Sequence, residues 1–263
     1  MIESSTVYDS SAPGARPSAS EWPSPVVVEN EAGVSDWMLI CEHASPHIPT
    51  SYRRLGLPEG AELGHIGWDL GAAALARALA RRLDAALALA TYSRLLIDLN
   101  RPLDAASSIP EISDRTVVPG NVGIDEAERQ FRAERLFSPF HDRVAALLDA
   151  RQRAGRRTRL LTVHSFTPVL LDQPRPWRLG ILAGASKRLA AALLSELEAV
   201  APDARMALDE PYRIALDEDF AIPVHGDARG YDALLIEVRN DELGTPEAAD
   251  VWADRIARAL ARI

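Results

Sequence analysis

Residues 160–167 read Leu-Leu-Thr-Val-His-Ser-Phe-Thr, a short apolar run that ends in a polar cluster. Apolar runs of this length fit strands buried on both faces of a parallel sheet. The same design recurs three times. Trp37–Ile40 leads into Cys41-Glu42-His43-Ala44-Ser45, and Ala233–Ile236 leads into Glu237-Val238-Arg239-Asn240. Leu95–Ile97 lies between Arg94 and Asp98-Leu99-Asn100-Arg101. In open α/β sheets, ligands bind beyond the carboxyl ends of the strands. The four clusters are therefore expected on one rim, where two histidines, several carboxylates and two arginines converge. These groups suit metal-assisted hydrolysis of an acidic substrate.

The segments between the runs supply helices. Leu75, Leu79 and Leu83 recur every four residues, while Arg77, Arg81 and Asp84 share another face, which predicts an amphipathic helix. Asp125 followed by Glu128 forms a capping box, and Pro139 predicts a break or kink in the helical stretch that follows. Further helices are expected over Ser186 to about Val200 and from Thr245-Pro246-Glu247 onward, the last with Thr as cap and Pro in the first turn. Additional strands are expected near Ala88–Tyr92, Arg94–Ile97 and Arg178–Leu182, with a short one at Tyr212–Ala215. Residues 102–124 read as a long loop of the kind that often carries function. Strands alternating with helices predict an α/β fold: a three-layer αβα sandwich around a mixed, largely parallel sheet. Residues 1–35, rich in Ser, Pro, Gly and Glu, read as a flexible extension with order only near Val26–Val28, and 36–263 as the catalytic domain.

At 263 residues and 47% hydrophobic composition, the chain can bury a sizeable core. Its net charge of −9 argues against nucleic acid as a partner, though a local arginine pair can still hold a small anion. The single Cys41 excludes an intrachain disulfide and fits a reducing compartment. No signal peptide and no membrane span are evident, so a cytoplasmic location is expected.

His43 and His164 are the metal-ligand candidates, because imidazole suits zinc and both sit at strand ends. Each alone reads better as a hydrogen-bonded buried histidine; the coincidence of the two favours ligands. Asp69 and Glu42 compete for the third position, with Asp69 preferred, although an acid just before a helix is also a natural N-cap. Arg94, Asn100 and Arg101 read as a carboxylate clamp, with Asp98 orienting an arginine; a surface ion-pair network is the competing reading. Glu237 ends a buried strand, where a raised pKa suits general acid–base work; pairing with Arg239 is an equal alternative. His225 beside Gly226 is placed within reach of substrate or in a loop, and His141 reads as structural.

Five stretches in order carry a resemblance: CEHASPHIP at 41–49, HIGWDLGAAALARALA at 65–80, YSRLLIDLNRPL at 92–103, HSFTP at 164–168 and HGDARGYDALLIEVRND at 225–241. Together they resemble the N-formylglutamate amidohydrolase family, which looks like a branch of the zinc carboxypeptidase-like fold alongside aspartoacylase and succinylglutamate desuccinylase. The resemblance implies Asn100 and Arg101 on the substrate carboxylate, His164 on Zn2+ and Glu237 as general base. One departure stands out: the relatives' His-x-x-Glu pattern meets Pro46 here. The expectation is one Zn2+ held by His43, Asp69 and His164, and hydrolysis of an N-acylated acidic amino acid, first N-formyl-L-glutamate. The rivals are the same chemistry on another N-acyl amino acid or short peptide, and a non-catalytic binder of an acidic metabolite.

Overall fold

The structure, a computed structural model, describes residues 22–263. Its centre is a seven-stranded mixed sheet. In chain order the strands are β1 (Val26–Glu29), β2 (Trp37–Cys41), β3 (Ala86–Ala90), β6 (Arg159–Phe166), β9 (Leu179–Leu182), β10 (Met206–Leu208) and β11 (Asp232–Arg239), with two small hairpins between them, β4 (Ile112–Ser113) with β5 (Thr116–Val117) and β7 (Val169–Leu170) with β8 (Gln173–Pro174). The spatial order is β1-β3-β2-β6-β11-β9-β10. Strands β3, β2, β6 and β11 run parallel; β1 joins β3 antiparallel, and β9 joins β11 antiparallel.

Side-chain alternation along the strands builds two cores. Leu39, Leu87, Leu161 and Ile236 pack against α1 (Ala72–Leu83), α4 (Lys187–Val200) and α5 (Pro246–Leu260) through Leu75, Leu79, Leu193 and Trp252. Met38, Ile40, Leu160 and Leu235 face the other way, onto α3 (Ser138–Arg153) through Val144 and Leu148. The expected three-layer arrangement is thus observed. The expected break is also present: α2 (Glu126–Arg132), capped by Asp125 through Glu128 N at 2.8 Å, passes through a wide helical turn at Ala133–Phe137 into α3, with Pro139 in its first turn. Thr245 caps α5 through Ala248 N at 3.2 Å. Among the described residues, no helix is long and apolar enough to cross a membrane.

Three expectations change. Residues 1–21 of the expected extension lie outside the described residues. The rest of it is part of the fold: Val26–Glu29 forms the edge strand, and Trp22 is buried between the Tyr52, Tyr92 and Phe131 rings. Apolar spacing in this segment is too brief to stand out from its polar surroundings. Arg94–Ile97 is a turn, not a strand. Its apolar residues are buried as expected, but the backbone bonds locally, Leu96 N to Ser93 O at 3.1 Å and Leu95 N to Ser93 Oγ at 3.2 Å. Tyr212–Ala215 is likewise irregular, and the edge strand is Met206–Leu208 instead.

Gly180 on β9 shows why one glycine matters. It lies opposite Glu237 in the sheet, and a Cβ there would come within 1.6 Å of the Glu210 carbonyl oxygen. Backbone cannot yield as a side chain does, so Gly180→Ala must displace the segment carrying Pro211 and Tyr212. Overpacking of this kind costs about 1–3 kcal/mol, and a fall of several degrees in Tm by calorimetry is expected.

Candidate active site

The carboxyl ends of the parallel strands, together with the loops that follow, form a cavity of about 340 Å³. All four sequence clusters reach it: His43, Asp69, Arg94, Asp98, Asn100, Arg101, His164 and Glu237 line its wall. Register explains much of this. His164 on β6 and Glu237 on β11 are direct partners across the parallel pair. Both sit an even number of residues beyond Leu160 and Leu235, so alternation turns them to the same face of the sheet. Strand β2 has already ended at Cys41, and this frees Glu42 and His43 to turn toward the same centre.

His43, Asp69 and His164 form one buried group, with a ligand atom from each lying within 4.8 Å of the others. Asp69 Oδ2 is the focus: His164 Nδ1 lies 2.9 Å from it, His43 Nδ1 3.3 Å, and Ser165 N 3.3 Å. The opposite nitrogen of each ring faces another carboxylate. His43 Nε2 is 2.7 Å from Asp98 Oδ1, and His164 Nε2 is 3.2 Å from Glu42 Oε2, close but not aligned for a hydrogen bond. The N-cap of α1 is Gly71, so Asp69 is free of capping; its own N–H is held by the His43 carbonyl at 3.0 Å.

The electrostatics follow from that packing. Burial pushes both imidazoles toward the neutral form, but Glu42 and Asp69 raise His164 well above its usual range. For His43, burial and Arg94 act downward, and Asp98 and Asp69 reverse them. Burial alone would raise the Asp69 carboxyl; the two histidines overcome it and hold it below the usual carboxylate range. The centre therefore collects positive charge. A divalent cation fits, because it can replace the imidazole protons while Asp98 and Glu42 orient the rings from outside. Two histidines and a carboxylate are also the donor set of many catalytic zinc sites.

Glu237 is buried, and its Oε2 has no hydrogen-bond partner among the described residues. Burial raises its pKa to about 7, against the pull of His164. The alternative pairing with Arg239 is absent: that guanidinium meets Asp241 at 2.8 Å and Glu242 at 3.6 Å.

The clamp residues are all at the cavity but are differently engaged. Arg94 Nε and Nη2 bind Asp98 Oδ2 at 2.9 and 2.6 Å, and Nη1 is 3.4 Å from Asp69 Oδ1. Asp98 thus orients both Arg94 and His43. Asn100 Oδ1 accepts from Ala221 N at 2.9 Å and Phe220 N at 3.3 Å, and Nδ2 reaches Asp219 at 3.4 Å. Its carboxamide positions the cavity wall and leaves one N–H over. Arg101 donates to the Glu218 carbonyl and lies 3.4 Å from Asp219 Oδ1.

His225 is a correction: it does not line the cavity. The helical turn Ala221–Gly226 buries it against α3, with Nε2 at 2.9 Å from His141 Nδ1, while His141 Nε2 donates to the Leu99 carbonyl at 2.8 Å. Burial lowers His225 to about 4 and His141 to about 3, which keeps both neutral and structural. Sequence reasoning in turn missed Arg175 and Tyr212, which do line the cavity. The available signal was proline: Arg175 lies between Pro174 and Pro176, and Tyr212 follows Pro211, placements that hold short segments extended.

A mixed αβα sandwich with a buried histidine–carboxylate centre on its carboxyl rim is the frame of an α/β amidohydrolase. The chain belongs to the N-formylglutamate amidohydrolase family, whose sequence profile matches residues 35–243. A gene product of Agrobacterium tumefaciens with a known crystal structure is 36% identical, with a TM-score of 0.87 over 91% of this chain and 96% of that one. The crystal structure of N-formylglutamate amidohydrolase from Ralstonia eutropha is 20% identical, with a TM-score of 0.61 over 91% of this chain and 97% of that one, and shares the fold. Among curated proteins, none matches the chain.

Proposed function

We propose that the chain is a zinc-dependent amidohydrolase acting on N-acylated acidic amino acids, with N-formyl-L-glutamate as the first substrate to test. The observation that carries this reading is the convergence of His43 Nδ1 and His164 Nδ1 on Asp69 Oδ2, in the same cavity as the unpartnered Glu237 Oε2. His43, Asp69 and His164 would hold the ion. Zn2+, when bound, supplies Lewis acidity at the scissile carbonyl and a water acidic enough to ionise near neutral pH.

The chain's own residues do the rest. Glu237, poised near neutrality by burial, takes a proton from the attacking water and returns it to the amide nitrogen as the carbon–nitrogen bond breaks. Water's oxygen ends in the released carboxylate, which is formate for a formyl substrate, and the amine leaves protonated. Arg94, fixed by Asp98, faces the reacting end, and Arg101 with Asn100 holds a substrate carboxylate. A guanidinium fork selects carboxylate geometry in a way that an ammonium cannot. Arg101→Lys is therefore expected to raise KM with metal content retained, and unchanged kinetics on an acidic substrate would remove Arg101 from the clamp.

Elemental analysis of protein purified without chelator, followed by amine-release assays on N-acyl glutamates, aspartates and neutral analogues, tests the whole reading. Near-stoichiometric zinc and turnover of acidic substrates are expected. Metal-free protein that binds such molecules without cleaving them would instead identify a metabolite binder.

A further inference from the structure

Among the described residues three arginines line the cavity, and they are not equivalent. Arg94 is tied to Asp98 at 2.6 Å and Arg101 to Asp219 at 3.4 Å, so each has a carboxylate from the chain itself. Arg175 has none. Its guanidinium makes no hydrogen bond or ion pair with another described residue, and its carbon lies over the Phe166 ring, 5.9 Å from the centroid. It is half-buried, and desolvation lowers its pKa despite the more distant pull of Glu237, Asp114 and Tyr212. A guanidinium withdrawn from water without an anion is costly unless an anion arrives.

The surroundings hold Arg175 in place without using its head group. Its N–H donates to the Pro168 carbonyl at 2.8 Å, and its own carbonyl accepts from Arg239 Nη1 at 3.3 Å. It directly follows the β7–β8 hairpin, whose tip is latched to the β4–β5 hairpin across the cavity mouth. Arg115 Nη1 meets Asp172 Oδ2 at 2.7 Å, and Asp114, which accepts from Leu171 N at 3.4 Å, also binds His65 at 2.8 Å. Both ends of the segment that bears Arg175 are therefore fixed, while its fork is left open to the cavity.

We infer that Arg175 is the subsite for the second carboxylate of the substrate, the one that separates acidic from neutral amino acids. This rests on the amidohydrolase reading above. An N-acyl dicarboxylate brings two anions, and the clamp built on Arg101 accounts for one. The second needs an unengaged, geometrically selective cation, and among the described residues of the cavity wall Arg175 is that group. Bidentate pairing with a carboxylate would supply the anion that its burial demands. Specificity then arises largely from the converse: a neutral side chain would leave the half-buried guanidinium unpaired.

The test compares wild type with Arg175→Gln on N-formyl-L-glutamate and N-formyl-L-glutamine, which differ only in that second carboxylate. The ratio of kcat/KM between the two substrates should fall about 10- to 100-fold in the variant, the loss expected for a hydrogen-bonded charge partner. Zinc content should stay at the wild-type value and Tm should not fall, since the guanidinium supports no other described residue and its unpaired burial is itself unfavourable. An equal loss on both substrates, or no loss on either, overturns the assignment. A second measurement keeps it separate from the proposed reaction. Glutarate, a dicarboxylate with no amide bond, is titrated calorimetrically into both proteins. If wild type cleaves neither formyl substrate yet binds glutarate about 10- to 100-fold more tightly than the variant, the subsite stands and the substrate reading falls. Equal glutarate affinity for the two proteins removes Arg175 as a carboxylate subsite whatever the enzyme cleaves.

Discussion

Replacing Glu237 by glutamine is expected to lower turnover about 10²–10⁴-fold, the usual contribution of a positioned acid–base group. The substitution keeps volume and a hydrogen-bonding head but removes the basic oxygen. Zinc content should be unchanged, because Glu237 stands outside the group formed by His43, Asp69 and His164. Stability separates this role from a structural one. Glu237 has its pKa raised to about 7 by burial, above the ordinary range it would show in an unfolded chain. The folded state therefore binds the extra proton. Relative stability is fully present at acidic pH and is lost as pH rises through about 7, where the carboxylate must ionise in a buried site. Metal-stripped Glu237→Gln should consequently melt at or above wild type on the alkaline side of that value, and the difference should vanish toward acid. A variant that melts below wild type at every pH, with turnover per folded molecule intact, would make Glu237 a structural residue.

The fold was legible where local pattern and tertiary role agree. The buried runs at Trp37–Cys41, Leu160–Val163 and Ala233–Ile236 are strands of the covered parallel part of the sheet, as their short unbroken apolar stretches suggested. Leu95–Ile97 misled for an instructive reason. It is as apolar and as buried as those strands, but Ser93 satisfies its backbone in a turn, and burial alone does not distinguish the two states. The metal-centre candidates were legible because strand ends deliver side chains to a common rim, and of the two competing carboxylates Asp69 is the one near both Nδ1 atoms. Asp69 Oδ2 lies between the two Nδ1 atoms, whereas Glu42 stands behind His164. The burial of His225 was not legible, and for Arg175 the flanking prolines marked an extended segment without showing which way its side chain turns. Whether a loop side chain turns inward depends on partners far along the chain, here His141 at 84 positions' distance for one and the latched hairpins for the other.

Asp69 carries the second large expected effect. Asp69→Asn keeps the shape of the residue but removes the charge on which both Nδ1 atoms converge, so metal and activity should be lost together. Loss of activity alone would not prove ligation, since breaking a buried charge pair is itself destabilising by about 3–5 kcal/mol. The discriminating quantity is the response to chelator. A ligand that binds only the folded state stabilises it by mass action, about 4 kcal/mol at a thousandfold excess over Kd. In a domain of this size that is on the order of ten degrees in Tm. Wild type should therefore melt lower after chelation and recover with added Zn2+. Asp69→Asn should already melt low and should respond to neither. If Asp69 served only to neutralise protonated His43 and His164, the variant would be less stable but would keep the full chelator-dependent step. That result would move the third ligand to Glu42, the remaining buried carboxylate in contact with His164 and the one whose oxygens have no hydrogen-bond partner among the described residues.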